Sequence, residues 1–207
     1  MKFKVRLVLI FAFGLLVCLS LNSKITAYQF FKTKVVMFGD SLTANGKWNK
    51  LFPDIKIVNL GRGGDSTHDM LLRLHYVYKY HPKYCFIMAG LNDIDTHRDQ
   101  DRIYKDYFSI LEKLRQNNIT PIILSTLYAR DYFDANHQIN NKIDLLNSTL
   151  KDYARTNKIT YIELNESFAQ NHSLSPQFAF DHVHINDKAY EIWRDKIKNI
   201  IYDKHRA

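Results

Sequence analysis

The sequence predicts one α/β domain, a three-layer α/β/α sandwich on a five-stranded parallel sheet. Three observations carry this. Five short runs rich in Val, Ile and aromatics alternate with segments whose apolar residues recur at helical spacing. At 207 residues and 46% hydrophobic content, the chain can bury one full core. Residues with chemistry to offer collect just after the apolar runs, where open α/β sheets hold their ligands.

The predicted strands are 34–38, 56–59, 84–89, 121–126 and 160–163. Between them Ile103, Tyr107, Ile110, Leu111 and Leu114 mark one amphipathic helix, and Ile139, Ile143, Leu146, Leu150 and Tyr153 mark another. A last helix over 186–202 is expected to bury Ala189, Ile192, Trp193, Ile197 and Ile200. Strands that alternate with helices pair in parallel through crossovers, which puts helices on both faces. The longest stretch without a periodic pattern is 165–183, and its length marks it as a functional loop.

Ahead of this body, residues 1–6 are basic and 7–21 form an uncharged apolar run. That pairing reads as a secretory signal or a short signal anchor, with its positive end kept inside. Val17 stands where a lipoprotein signal would have a small residue before Cys18, and no clear Ala-x-Ala site follows. We therefore expect 1–27 to be retained as a membrane anchor and 28–207 to form an extracytoplasmic domain, with a cleaved signal as the alternative.

The formal charge of +8 first suggests nucleic acid. Yet residues 1–36 hold six lysines and arginines and no acid, so the body is close to neutral and carries no basic stripe interleaved with aromatics. A nucleic-acid partner is not expected. Cys18 in the leader and Cys85 in a predicted core strand do not make a disulfide framework. Four Asn-x-Ser/Thr sequons, at Asn118, Asn147, Asn165 and Asn171, are read as an Asn-rich composition rather than glycan sites.

Four blocks end the predicted elements. Val35-Val36-Met37-Phe38-Gly39-Asp40-Ser41-Leu42 is a buried strand that stops at a glycine and leaves Ser41 at the amino end of whatever helix follows. A helix amino terminus presents unpaired N–H groups that can receive developing negative charge. After the second strand, Asn59-Leu60-Gly61-Arg62-Gly63-Gly64-Asp65-Ser66-Thr67 can bring backbone close to a ligand and aim the Gly64 N–H into a pocket. It lacks the order of a dinucleotide fingerprint and the lysine of a phosphate loop. The alternative is a turn capped by Asp65 or Ser66. After the third strand, Gly90-Leu91-Asn92-Asp93 offers a neutral side-chain amide suited to an oxyanion, or else an Asx turn. Before the last helix, Asp181-His182-Val183-His184 sets an acid three residues ahead of a histidine, so that a carboxylate can hold one ring nitrogen while the other faces a serine. Asp181 with two histidines lacks the further ligands at suitable spacing that would complete a zinc site.

Taken together and in this order, Gly39-Asp40-Ser41-Leu42, Gly64, Gly90-x-Asn92-Asp93 and Asp181-x-x-His184 resemble the SGNH (GDSL) hydrolase family, and the second block is similar to its acetylhydrolase-like branch. The resemblance covers the body from about residue 34 to the final helix. It implies a flavodoxin-like fold and a serine esterase without metal or other cofactor. It implies Ser41 as nucleophile, His184 as base, Asp181 as its partner, and an oxyanion hole from Ser41, Gly64 and Asn92. Asp95 and His97 receive no catalytic role. The expected substrate is a short acyl ester on an extracytoplasmic glycan. A lysophospholipase or thioesterase, an acyltransferase on the same acyl-enzyme, and a binding module that has lost its chemistry are the alternatives.

Overall fold

The computed structural model describes residues 35–130 and 138–202, so the leader lies outside the described residues. Strand β1 (Val35–Gly39) lies second in a five-stranded sheet, with β2 (Ile57–Gly61) at the edge beside it. On the other side follow β3 (Tyr84–Met88), β4 (Thr120–Leu124) and β5 (Thr160–Ile162). The order is β2-β1-β3-β4-β5 and every pairing is parallel. In register, Gly39 sits opposite Gly61 and Met88, so the first three strands finish at one level.

Both faces of the sheet are buried, which is why its strands read as continuous apolar runs. Alternate residues divide between two cores. Val35, Met37, Phe86, Met88, Ile122 and Leu124 face α9 (Asp187–Tyr202) and α2 (Trp48–Leu51). Val36, Phe38, Cys85, Ile87 and Ile123 face α6 (Gln100–Gln116) and α7 (Gln138–Asn157). Each fully buried large aliphatic side chain contributes roughly 1.5–3 kcal/mol. On the first face Trp48 packs edge-on against Trp193, with ring centroids 5.0 Å apart, and Tyr190 stacks beside Trp193 at 5.9 Å. Burial pushes the Cys85 thiol far above its ordinary pKa, so it is a core residue and not a nucleophile.

The predicted strands appear with ends shifted by one or two residues. β2 runs on to Gly61 because Leu60 and Gly61 still find partners in Phe38 and Gly39. In α9 the buried stripe is Ala189, Tyr190, Trp193, Ile197 and Ile201, whereas Ile192 and Ile200 lie at its margin and are only partly buried. The stretch 165–183 is less irregular than its pattern suggested. It holds a short helix α8 (Asn165–Phe168) and a two-stranded hairpin of β6 (Ala169–Gln170) and β7 (Ser173–Leu174). Asn171 and His172, both at positive φ, turn that hairpin; elements of two residues are too short to show a period.

Beyond β4 the chain leaves the sheet ladder, and asparagine side chains bond much of its backbone. Asn147 accepts from the Thr126 N–H at 2.8 Å and donates to its carbonyl at 2.9 Å. Asn140 does the same for Ala129, at 2.9 and 3.0 Å, and Asn165 bridges the Tyr128 N–H and the Thr126 carbonyl. The segment so held delivers the Arg130 N–H to the His182 carbonyl at 2.9 Å, which steadies the loop carrying Asp181 and His184. Asn147 and Asn165 are 7% exposed and fully engaged, so in the folded chain neither can carry a glycan.

Replacing Asn147 with Ala leaves two backbone groups of Thr126 without this side chain, and we expect a loss of about 2–4 kcal/mol in unfolding free energy. Urea denaturation measures it. A loss below about 0.5 kcal/mol, the level of an ordinary surface change, would show that the bonds are dispensable.

Candidate active site

The site lies beyond the carboxyl ends of β1, β2 and β3, where the strand order reverses, as expected for a doubly wound sheet. At the end of β1 the chain turns directly into a short helix, α1 (Ser41–Ala44). Gly39 allows this close approach, because a Cβ there would fall 2.2 Å from the Thr43 hydroxyl oxygen and 2.5 Å from the Met88 carbonyl oxygen. Asp40 caps the helix, its carboxylate accepting the Leu42 N–H at 3.0 Å. Two residues of the core that also holds Leu42 tie the helix down: the Tyr190 hydroxyl donates to the Leu42 carbonyl at 2.7 Å, and the Trp48 indole N–H donates to the Thr43 carbonyl at 2.9 Å.

Ser41, His184 and Asp181 come together although 143 residues separate the first two. The Ser41 Oγ is 2.9 Å from His184 Nε2, and His184 Nδ1 is 2.7 Å from Asp181 Oδ2. The other Asp181 oxygen accepts the N–H groups of Val183 and His184 at 2.9 and 2.8 Å. Partial burial alone would raise the Asp181 pKa. The two backbone donors and the imidazole more than offset it, so the carboxyl lies below its usual range and is ionised at neutral pH. The side chains of His184 and Asp181 remain 28% and 39% exposed, so the relay opens to solvent and a substrate can reach it.

Opposite the imidazole stands the glycine turn. The Arg62 N–H donates to the Gly39 carbonyl at 3.0 Å, and the Asp65 N–H closes a four-residue turn on the Arg62 carbonyl. Gly64 takes the third position with φ +78°, a conformation a side chain would strain. A Cβ on Gly63 would lie 3.8 Å from that of Ser41, so the turn runs close beside the serine. Asn92 is the second residue of α5 (Leu91–Asp95), and its amide reaches across to donate to the Asp65 carbonyl at 2.9 Å rather than turning back on its own backbone. The same nitrogen carries a second N–H.

Sequence reasoning missed the groups that hold this arrangement. Asp65 is not a helix cap. That part is played by Ser66, which forms a capping box with Asp69 at the start of α3 (Thr67–Leu72). Asp65, 2% exposed, instead pairs with Arg62 and Arg73. Arg73 also donates to the Leu60 and Gly39 carbonyls at 2.7 and 3.0 Å and lies 4.6 Å over the Phe38 ring. Asp93, wholly buried, accepts the Thr67 N–H, the Thr67 hydroxyl and Arg98, each at 2.8 Å. The two arginines stand eight and five residues from their acids, and only the fold shows which acid each one meets.

Asp40 has a further property. Burial drives its pKa up to about 6, against partial compensation from the Leu42 N–H and from His184. An exposed aspartate titrates near ~3.9. The folded chain therefore binds this proton more tightly than the unfolded chain, and stability falls as pH rises through the interval from about 4 to 6. Asp40→Asn keeps a capping oxygen and removes the charge. We expect the stability difference between variant and parent to move in the variant's favour by about 1–3 kcal/mol between pH 4 and pH 7.5, and kcat to drop because His184 loses a nearby negative charge. Thermal unfolding across that range tests this; a pH-independent difference would contradict a buried, ionising Asp40.

Residues 37–192 match the GDSL-like lipase/acylhydrolase family. Among solved structures, a GDSL-like lipase from Bacteroides thetaiotaomicron superposes with a TM-score of 0.73 at 26% identity, covering 82% of this chain and 88% of that one. An acylhydrolase from Bacteroides fragilis gives 0.74 at 28% identity over 83% and 87%. The N-acylneuraminate cytidylyltransferase of Streptococcus agalactiae is 21% identical over 149 residues, and the chain spans 35% of the length of that curated relative. With a match over most of its length, a sheet of the same architecture and a Ser-His-Asp relay at the strand ends, the chain belongs to the GDSL-like lipase/acylhydrolase family.

Proposed function

We propose that this acylhydrolase is a serine esterase that removes short acyl groups, acetyl above all, from an extracytoplasmic glycan. The observation that carries the chemistry is the continuous path from Asp181 through His184 to the Ser41 hydroxyl. In this reading the Ser41 Oγ attacks the ester carbonyl while His184 Nε2 takes its proton. The negative charge that develops on the carbonyl oxygen is met by the N–H groups of Ser41 and Gly64 and by the free hydrogen of the Asn92 amide. Asp181, ionised and held by two backbone donors, keeps the proton of His184 on Nδ1 and stabilises the imidazolium. His184 then protonates the leaving alcohol, the C–O bond breaks, and water releases the acyl group by the same steps in reverse.

A short acyl group is supported by the body of the chain: from residue 34 on, the sequence holds no long apolar segment to roof a lipid-filled tunnel. A sugar is supported by the curated relative, which is named for an N-acylneuraminate. The basic start and apolar run of the leader support export, with residues 1–27 as anchor. Among the described residues no helix is long and apolar enough to cross a membrane, so anchoring rests on that leader alone. Recovery of the expressed full-length chain in the cytoplasmic fraction would overturn export.

For the catalytic assignment, p-nitrophenyl acetate should be cleaved far faster than the palmitate ester. Ser41→Ala should fold normally and retain less than about 1% of that activity. Asn92→Ala should lose about 10²–10³-fold in kcat with KM little changed, since an oxyanion bond strengthens only in the transition state. Full activity in Ser41→Ala would remove the serine mechanism. An Asn92→Ala variant that lost stability but kept kcat per folded molecule would leave the oxyanion to backbone donors.

A further inference from the structure

Against His184 the surface sinks into an open groove of about 600 Å³ that no residue of the glycine turn lines, within the roughly 300–1,000 Å³ typical of small-molecule sites. Tyr190 forms part of its wall, and Phe180, Asn45, Lys47 and Asp187 line it along with His184. Phe180 is 79% exposed, the most exposed large hydrophobic side chain among the described residues. Its backbone is nevertheless fixed, because the Phe180 N–H donates to the His184 carbonyl at 2.8 Å and an isolated bridge joins Ala179 to Ile185. The loop that carries the imidazole therefore sets Phe180 at the groove, and its side chain is largely open to solvent.

We propose that this groove is the leaving-group subsite and that it takes a neutral pyranose, with Phe180 as the platform under the sugar ring. The inference rests on the esterase reading given above. The direction follows from proton transfer: His184 Nε2 must hand its proton to the departing oxygen, so the alcohol lies on the imidazole side while the carbonyl oxygen points to Gly64 and Asn92. The chemistry follows from the lining. One face of a pyranose is a patch of C–H groups with slight positive charge, which suits the negative face of an aromatic ring. The sugar's edge carries hydroxyls that both donate and accept. Asn45 supplies an amide of both kinds, and the Lys47–Asp187 ion pair, closed at 3.0 Å, supplies donors and acceptors without a net charge. A charged leaving group would meet a pair already neutralised.

The test compares two acetate esters on the full-length protein. Vinyl acetate has a leaving group too small to reach Phe180; methyl 2,3,4-tri-O-acetyl-β-xylopyranoside presents a sugar. The parent protein should favour the sugar ester in kcat/KM. Phe180→Ala should lose on the order of tenfold on the sugar ester and stay within about twofold on vinyl acetate, while Phe180→Trp should restore the sugar ester. Equal losses on both esters would mean that Phe180 supports the His184 loop, and no loss on either would mean that the groove is not used; both outcomes overturn the proposal and leave the esterase reading in place. If the parent cleaves neither ester, the esterase reading fails and the subsite falls with it.

Discussion

The guanidinium of Arg73 is the hub on which the site depends. It pairs with the buried Asp65, takes the carbonyls of Gly39 and Leu60 near the ends of β1 and β2 and covers the Phe38 ring. Through Asp65 it reaches further, because the carbonyl of that residue receives the amide of Asn92 from the start of α5. Three chain segments that would otherwise end in water are thus clamped to one cation. A flat, delocalised group with five donors can do this; an ammonium cannot reach three acceptors in a plane while lying on an aromatic face. Burying Asp65 unpaired would cost several kcal/mol, so the acid and the arginine are required together.

Rigidity of this kind matters because the proposed chemistry works by prepared geometry. Donors contribute to a transition state only if they already point at the place where charge will develop. The glycine turn beside Ser41, pinned by Asp65, and Asn92, pinned to the same residue, are parts of one unit. On the opposite side the His184 loop is held by other means: the Arg130 N–H on the His182 carbonyl, and the backbone donors of Val183 and His184 on Asp181. The nucleophile stands between two independently braced walls. Its helix is fastened beneath by Tyr190 and Trp48, which belong to the core on the α9 face. Asp40 shows the cost of such an arrangement, since a carboxylate at the head of that helix is buried and its pKa driven up to about 6. Sites of this type commonly give up stability in exchange for activity.

Much of this was legible in the chain itself. Apolar runs at strand length and apolar residues at helical spacing are local signals, and they located the five strands of the sheet and the three long helices. The motif residues Ser41, Gly64, Asn92, Asp181 and His184 could be named as candidates because four short motifs, each open to a turn reading alone, resemble those of a known family when taken in order. What the pattern could not settle were the ends of β2 and the details of 165–183. A strand end is decided by its neighbour's register, and two-residue strands are shorter than any period.

Tertiary structure alone decided the partners. That Asp65 meets Arg73 rather than capping a helix, that Asp93 meets Thr67 and Arg98, and that Asn140, Asn147 and Asn165 bond the backbone beyond β4 are all consequences of which surfaces come within about 3 Å after packing. Side-chain hydrogen bonds and ion pairs carry no periodic trace in the sequence, because an acid or an amide looks the same there whether it faces water or a backbone carbonyl. The same holds for Phe180, whose exposure no local pattern in the sequence marks. The sequence by itself determined the sheet and the helices, since those follow from short-range pattern, and through its resemblance to a known family it named the candidate reactive groups. The clamp that aligns those groups and the groove beside His184 arose only when residues far apart in the chain were brought into contact.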